Sequence, residues 1–180
     1  CALILSEAHF GAARGMSPAL GIILGTGIGG GVAVDGRLIA GHSIGGPEFG
    51  HVSLSAYLLQ EYGLPVLECG CGRVGCVETC LSGPGLSRLA QMLTGANPSA
   101  QEIVASKHSD PALAQVWEIW CELAADFLMT LVLTIDPEVV VLGGGLSRIE
   151  GVEDDLSRAL AKAQFPGFRI PAIRLAQGGD

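Results

Sequence analysis

LGTGIGGGVAVDG, residues 24–36, decides between two ways of building a phosphate-binding fold. Gly25, Gly27 and Gly30 satisfy a G-x-G-x-x-G spacing, but a dinucleotide fingerprint needs its glycine turn to open a helix. Here Val32–Val34 reads as a strand, and Asp35-Gly36 suits a two-residue hairpin whose central residues take positive φ. Leu20–Leu24, before the glycines, is a continuous apolar run, so the segment reads as an antiparallel meander around a wide glycine turn. A Walker loop is excluded as well, because Gly31 rather than Lys follows Gly30. The turn offers backbone N–H groups and the Thr26 hydroxyl to phosphate oxygens. A purely structural hairpin fits the same residues, since glycine runs often only turn corners.

Working outward, Ala2, Leu3, Leu5, Ala8 and Phe10 predict a helix closed by Gly11 or Gly15. Gly83-Pro84 predicts another, running to Gly95, followed by a polar loop. Asp110-Pro111 opens the longest helix, with Trp117 and Trp120 read as core or subunit interface, and Asp136-Pro137 stops it. Val139–Leu142 is a buried strand leading into Gly143-Gly144-Gly145 and a further helix. That helix starts either at a Ser147/Glu150 capping box or near Val152. Ile170–Leu175 is the last expected strand. Strands and helices in this order give an α/β fold in one unit. A strand end opening onto Gly143–Gly145 is a place where such folds hold nucleotides, and a ligand-free turn reads the same way.

Between residues 41 and 80 periodicity is weak and the chemistry dense. His51 and the cysteines of CGCGRVGC, namely Cys69, Cys71 and Cys76, supply four N/S donors, and the intervening glycines allow a tight wrap. Such a set suits tetrahedral zinc, and four protein ligands leave no open position, which makes the site structural. Reduced core thiols, or disulfides in a secreted protein, are the other readings. Glu48 in PEFGH and Glu78, two residues past Cys76, bracket this loop, residues 48–78. Hydroxyl-rich ligands such as sugars need fixed carboxylate acceptors, although each glutamate also reads as a solvated loop residue. Cys1, Cys80 and Cys121 are expected to be small core residues. His9, His42 and His108 have no metal-like neighbours and are expected at the surface.

With 18 Asp+Glu against 10 Lys+Arg among 180 residues, the formal net charge of −8 repels phosphate backbones and argues against nucleic acid binding through this segment. The 27 glycines are about twice the usual share of roughly 7% and sit in clusters, as expected where backbone approaches a ligand. Phe127–Ile135, the longest apolar stretch, is too short to span a bilayer, so no membrane partner is expected. The chain opens at Cys1 without Met, and both ends read as cut.

Taken together, LGTGIGGGVAVDG, PEFGH, CGCGRVGCVE and DPEVVVLGGGLS resemble, in family order along nearly the whole chain, the ROK family of sugar kinases and sugar-responsive repressors. The resemblance implies an actin-like, ribonuclease H-like ATPase domain with an inserted zinc-binding loop. It also implies that residues 1–180 form the C-terminal lobe of a two-lobed protein. The implied activity is transfer of the ATP γ-phosphoryl group, with Mg2+, to a sugar hydroxyl.

By matching motif, His51, Cys69, Cys71 and Cys76 would bind structural Zn2+. Glu48, His51 and Glu78 would bind sugar. Gly25, Thr26, Gly27 and Gly29 would contact phosphate, and Gly143, Gly144 and Gly145 would lie on the adenosine side. IAGHSIGGPEFGH and the length of the His51–Cys69 insert most resemble bacterial N-acetylglucosamine kinases, which make N-acetylglucosamine 6-phosphate, with glucokinases and fructokinases close behind. Pro47, where relatives commonly carry Gly, departs from the pattern. The family's Asp-Gly-Gly-Thr phosphate motif and its catalytic Asp are expected upstream of Cys1, so no catalytic residue is assigned within this chain, and the last family helix is expected beyond Asp180. A repressor that senses sugar and reads DNA through an upstream winged helix is the alternative, and the two intact glycine turns favour a kinase. ATP use and reduced zinc thiols imply a cytoplasmic protein, and the family resemblance implies a homo-oligomer.

Overall fold

Side chains alternate across the central strands, and the alternation sorts the layers. A computed structural model describes residues 2–43 and 46–178. In β1 (Ala19–Leu24), Leu20, Ile22 and Leu24 join Val140 and Leu142 in the larger core. Ala19 lies instead with Ala33, Val139 and Val141 in a smaller core, as a period of two requires. β2 (Ile28–Val34) pairs antiparallel with β1, and β3 (Arg37–Leu38) antiparallel with β2. On the other side β4 (Val139–Gly143) and β5 (Ala172–Leu175) run parallel, so the mixed sheet has the order β3-β2-β1-β4-β5.

Small residues let α1 (Ala2–Phe10) lie close on one face. A Cβ added at Gly21 would stand 2.8 Å from the Cβ of Ile4. Buried Glu7 accepts N–H bonds from Ala12 (2.7 Å), Gln177 (2.9 Å) and Gly178 (2.7 Å), which ties α1 to the segment after β5 and satisfies the buried carboxylate.

The other face carries α6 (Pro111–Ile135), capped by Asp110, which accepts the Ala112 N–H at 2.8 Å. It ends at Asp136 in the left-handed region, φ 50°. Trp117 and Trp120 are buried and stacked at 4.8 Å, so both belong to the core. Around α6 pack α4 (Gly83–Thr94), α5 (Ala100–Ser106) and α7 (Val152–Lys162). The insert contributes the short helices α2 (Ala56–Glu61) and α3 (Glu78–Leu81).

Three expectations change. The glycine turn is narrow: Leu24 already pairs with Ile28, which leaves Gly25–Gly27 as the loop, closed by Gly25 N–H to Gly27 O at 3.0 Å. The polar stretch after Gly95 contains α5, started by a reciprocal capping box between Ser99 and Glu102. Of the two starts left open for the next helix, the one near Val152 forms and the Ser147/Glu150 box does not. Residues 145–148 make a 3-10 turn, and α7 begins after Gly151, whose φ of 77° breaks the helical path. Strand β5 is also shorter than the Ile170–Leu175 stretch expected to form it. Cys80 and Cys121 are buried, His9, His42 and His108 are exposed, and Cys1 lies outside the described residues. Among the described residues no helix is long and apolar enough to cross a membrane.

Candidate functional site

A 3-10 turn, Phe49–His51, presents the His51 ring to the cysteine loop. The loop is a narrow hairpin, closed by Cys69 N–H to Arg73 O (2.8 Å) and Gly75 N–H to Leu67 O (2.8 Å), with Gly72 and Gly75 at φ 86° and 71°. It brings Cys69 Sγ to 3.6 Å from His51 Nδ1 and Cys71 Sγ to 3.7 Å from Cys76 Sγ, and all four donor atoms lie within 4.8 Å of one another. For zinc–sulfur bonds of about 2.3 Å a tetrahedron has edges of roughly 3.8 Å, slightly shorter where one donor is nitrogen. The donor set therefore fits such an ion in type, number and spacing. Burial and the neighbouring thiols push the Cys76 thiol pKa up, while a backbone hydrogen bond at Arg73 holds that of Cys71 down.

The two glutamates differ. Glu48 is exposed, its carboxylate 3.9 Å from His51 Nε2, so the ring turns Nδ1 to the cysteines and Nε2 towards Glu48. Glu78 opens α3, and its Oε2 accepts the Ile28 N–H at 2.8 Å. The fit there is close. A Cβ on Gly27 would come within 2.7 Å of Glu78 Oε2, and one on Gly50 within 3.2 Å. Glu78 thus links the cysteine loop to the glycine turn.

On the other side of that turn lies a cavity of about 800 Å³. Its walls are Gly25 and Thr26, the start of α4 at Gly83 and Pro84, one side of α5, and the segment Gly145–Glu150. The two glycine stretches, 120 residues apart in sequence, thus share one cavity, as Gly25 and Gly145 both line it. The amino end of α4 has its donors engaged: Gly83 N–H reaches Gly25 O at 2.7 Å, Pro84 has none, and Gly85 N–H bonds the Ser82 hydroxyl at 3.1 Å. Among the described residues the N–H groups of Thr26 and Gly27 make no such bond, which leaves them as the turn's donors. Gly27, Gly29, Gly143 and Gly144 do not line the cavity. Gly29 pairs with Ile23, Gly143 packs on Leu3, and Gly144 has φ 86° with room for no side chain, since a Cβ would stand 2.5 Å from Leu24 O.

A four-donor loop, the Glu78 carboxylate on the glycine turn and a glycine-walled cavity beside it accompany a match to the ROK family model across residues 1–180. The chain belongs to the ROK family. It is 40% identical over 177 residues to the N-acetylgalactosamine kinase AgaK of Shewanella sp. (strain ANA-3), covering 98% of this chain and 58% of that protein. It is 36% identical over 165 residues to an N-acetyl-D-glucosamine kinase of Histophilus somni (strain 129Pt), covering 89% of this chain and 54% of that one. The ROK hexokinase structure from Thermus thermophilus superposes with a TM-score of 0.82 at 34% identity, over 99% of this chain and 60% of the hexokinase. A Streptomyces griseus ROK family glucokinase, solved with glucose and AMPPNP, gives a TM-score of 0.83 at 26% identity, with 99% and 61% covered. This ROK chain therefore spans somewhat over half the length of the relatives it matches.

Much of the cavity wall of this ROK chain was not signalled by motif. Ser87, Val104, Ala105 and Arg148 line it without belonging to any glycine run. The Ser99/Glu102 capping pair is the one sequence signal that would have placed α5 there.

Proposed function

We propose that this chain is the C-terminal lobe of a two-lobed, actin-like ATP-dependent sugar kinase. It would phosphorylate an N-acetylhexosamine, first of all N-acetylglucosamine to N-acetylglucosamine 6-phosphate. The observation that carries the reading is Glu78, whose carboxylate holds the Ile28 N–H of the glycine turn while it borders the four-donor loop. One side chain thereby registers a sugar-type acceptor against a phosphate-type turn. The kinases named among the relatives support the substrate class, with N-acetylgalactosamine as the second sugar to try.

In this reading His51 Nδ1 and the sulfurs of Cys69, Cys71 and Cys76 hold structural Zn2+, which fixes the loop and polarises no reacting oxygen. Glu48, His51 Nε2 and the free oxygen of Glu78 accept or share sugar hydroxyls. Thr26 and Gly27 donate N–H groups to phosphate oxygens, with Gly25 and Gly29 shaping the turn. Gly145 lets backbone approach the adenosine side, and Gly143 and Gly144 shape the turn behind it. ATP with Mg2+, when bound, supplies the γ-phosphoryl group, and positioning by these residues accounts for this lobe's share of catalysis. The base that takes the hydroxyl proton is the Asp expected upstream of Cys1. The assembly is a cytoplasmic homo-oligomer that uses this lobe for sugar and nucleotide and not for nucleic acid.

A coupled ADP-release assay on the full-length protein tests the reading, with N-acetylglucosamine, N-acetylgalactosamine, N-acetylmannosamine, glucose, mannose and fructose as separate substrates. The expected result is turnover on an N-acetylhexosamine at a kcat/KM at least tenfold above that on glucose. No turnover with any sugar, together with a sugar-dependent rise in Tm, would replace the kinase with a sugar-sensing ROK repressor.

A further inference from the structure

Lys107 follows α5 with its side chain only 4% exposed, a place where an ammonium group is costly unless it is fully paired. Its partners are specific. Nζ donates to Asp155 Oδ2 at 3.0 Å and to the Glu150 carbonyl at 3.1 Å, and it sits 4.5 Å above the Trp117 ring. Trp117 Nε1–H donates to the same Asp155 oxygen at 2.8 Å, and Arg158 pairs with the other.

The location gives the cluster its meaning. Val104 and Ala105, just before Lys107, belong to one wall of the cavity, and Arg148, Ile149 and Glu150 belong to another. Along that second wall Ile149 N–H bonds Leu146 O and Val152 N–H bonds Ile149 O, both over short sequence distances. The bond from Lys107 reaches it from 43 residues away. Apolar or neutral side chains in place of both Lys107 and Asp155 could fill the space with little loss of stability, but they could not hold a carbonyl.

We propose that Lys107 is a positioning residue for the nucleotide: its ammonium group sets the spacing between α5 and segment 148–150, and so the width of the pocket that takes the base and ribose. This rests on the kinase reading of the cavity. Lys107 touches no ligand itself. It acts through the backbone of Glu150 and through Asp155, in the first turn of α7.

The test is calorimetric binding of AMPPNP with Mg2+, and separately of the sugar, to the full-length protein, alongside Tm. Lys107→Met is expected to weaken nucleotide binding about tenfold and leave sugar binding within twofold. Lys107→Met/Asp155→Asn also removes the carboxylate that has lost its buried ammonium partner. It should recover most of the lost Tm but not the nucleotide affinity, because Glu150 O stays untethered, and this variant decides the matter if the single one folds poorly. Nucleotide affinity that stays within twofold in Lys107→Met, or returns together with Tm in the double variant, would reduce Lys107 to a structural role. A parent protein that binds sugar but no nucleotide would overturn the kinase reading and this proposal together, an outcome distinct from a variant-specific null.

Discussion

Two regions flank the Gly25–Gly27 turn and are held in opposite ways. The cysteine loop has a thin core: Val66 and Val74 are exposed, at 62% and 60%, and its order rests on a few backbone bonds and on four donors gathered around one point. The cavity wall opposite is held by protein alone, through the apolar side chains of α4, α5 and α6 and the buried Lys107–Asp155–Trp117 cluster. The difference teaches that order in the cysteine loop and order in the cavity wall need not fail together, although one turn joins them. Glu78 is the joint.

The largest effect should come from removing a loop donor. Cys76 is 1% exposed within the set, so in the proposed zinc site Cys76→Ser is expected to abolish zinc retention and lower Tm by ~10 °C or more, because metal binding would be part of the loop's folding free energy. Sugar affinity should fall at least tenfold and nucleotide affinity by less than threefold. Metal analysis, thermal melts and calorimetry on the same preparation check this, and an unchanged Tm would remove the contrast between the two regions.

Next comes Glu78→Gln, which keeps an acceptor for the Ile28 N–H but loses the charge. A hydrogen bond to a charged group contributes about 1.5–3 kcal/mol, so sugar KM should rise roughly 10–100-fold while ATP KM changes less than threefold. Equal rises in both would mean that the turn, and not the sugar, depends on that charge.

How much of this was legible follows from where the information sits. Three of the four candidate metal donors fall within eight residues, and their grouping shows through without any helix or strand assignment. The strand-turn-strand reading of residues 20–36 held because apolar runs and an Asp-Gly turn are local signals, and Asp35 and Gly36 do take φ 51° and 73°. The width of the glycine turn was misjudged, since a glycine in β2 looks like a glycine in a loop until its partner strand is known. Gly144 shows the same ambiguity, with a backbone and a location set by Leu24 O, a neighbour 120 residues away. Lys107, Trp117 and Asp155 carry no motif at all, because their meaning arises only where three helical segments meet.

The smallest expected effect is a pH dependence on the nucleotide side. Burial alone would raise the Asp155 pKa, but Lys107, the Trp117 N–H and Arg158 together hold it below the ordinary carboxylate value. A depressed folded-state pKa means that the stabilisation is complete above the unfolded value of about 3.9 and is lost as pH falls through the folded one. The parent should therefore lose somewhat more Tm than Asp155→Asn, by ~2 °C, as pH falls from about 5 to 3. Parallel pH profiles of Tm would show that the cluster does not titrate with folding.

The most direct measurement is a chelator titration of the full-length protein, with sugar and nucleotide dissociation constants followed together by calorimetry. The account predicts that stripping the metal weakens sugar binding at least tenfold and leaves nucleotide binding within threefold. Loss of both in step, or of neither, would contradict it.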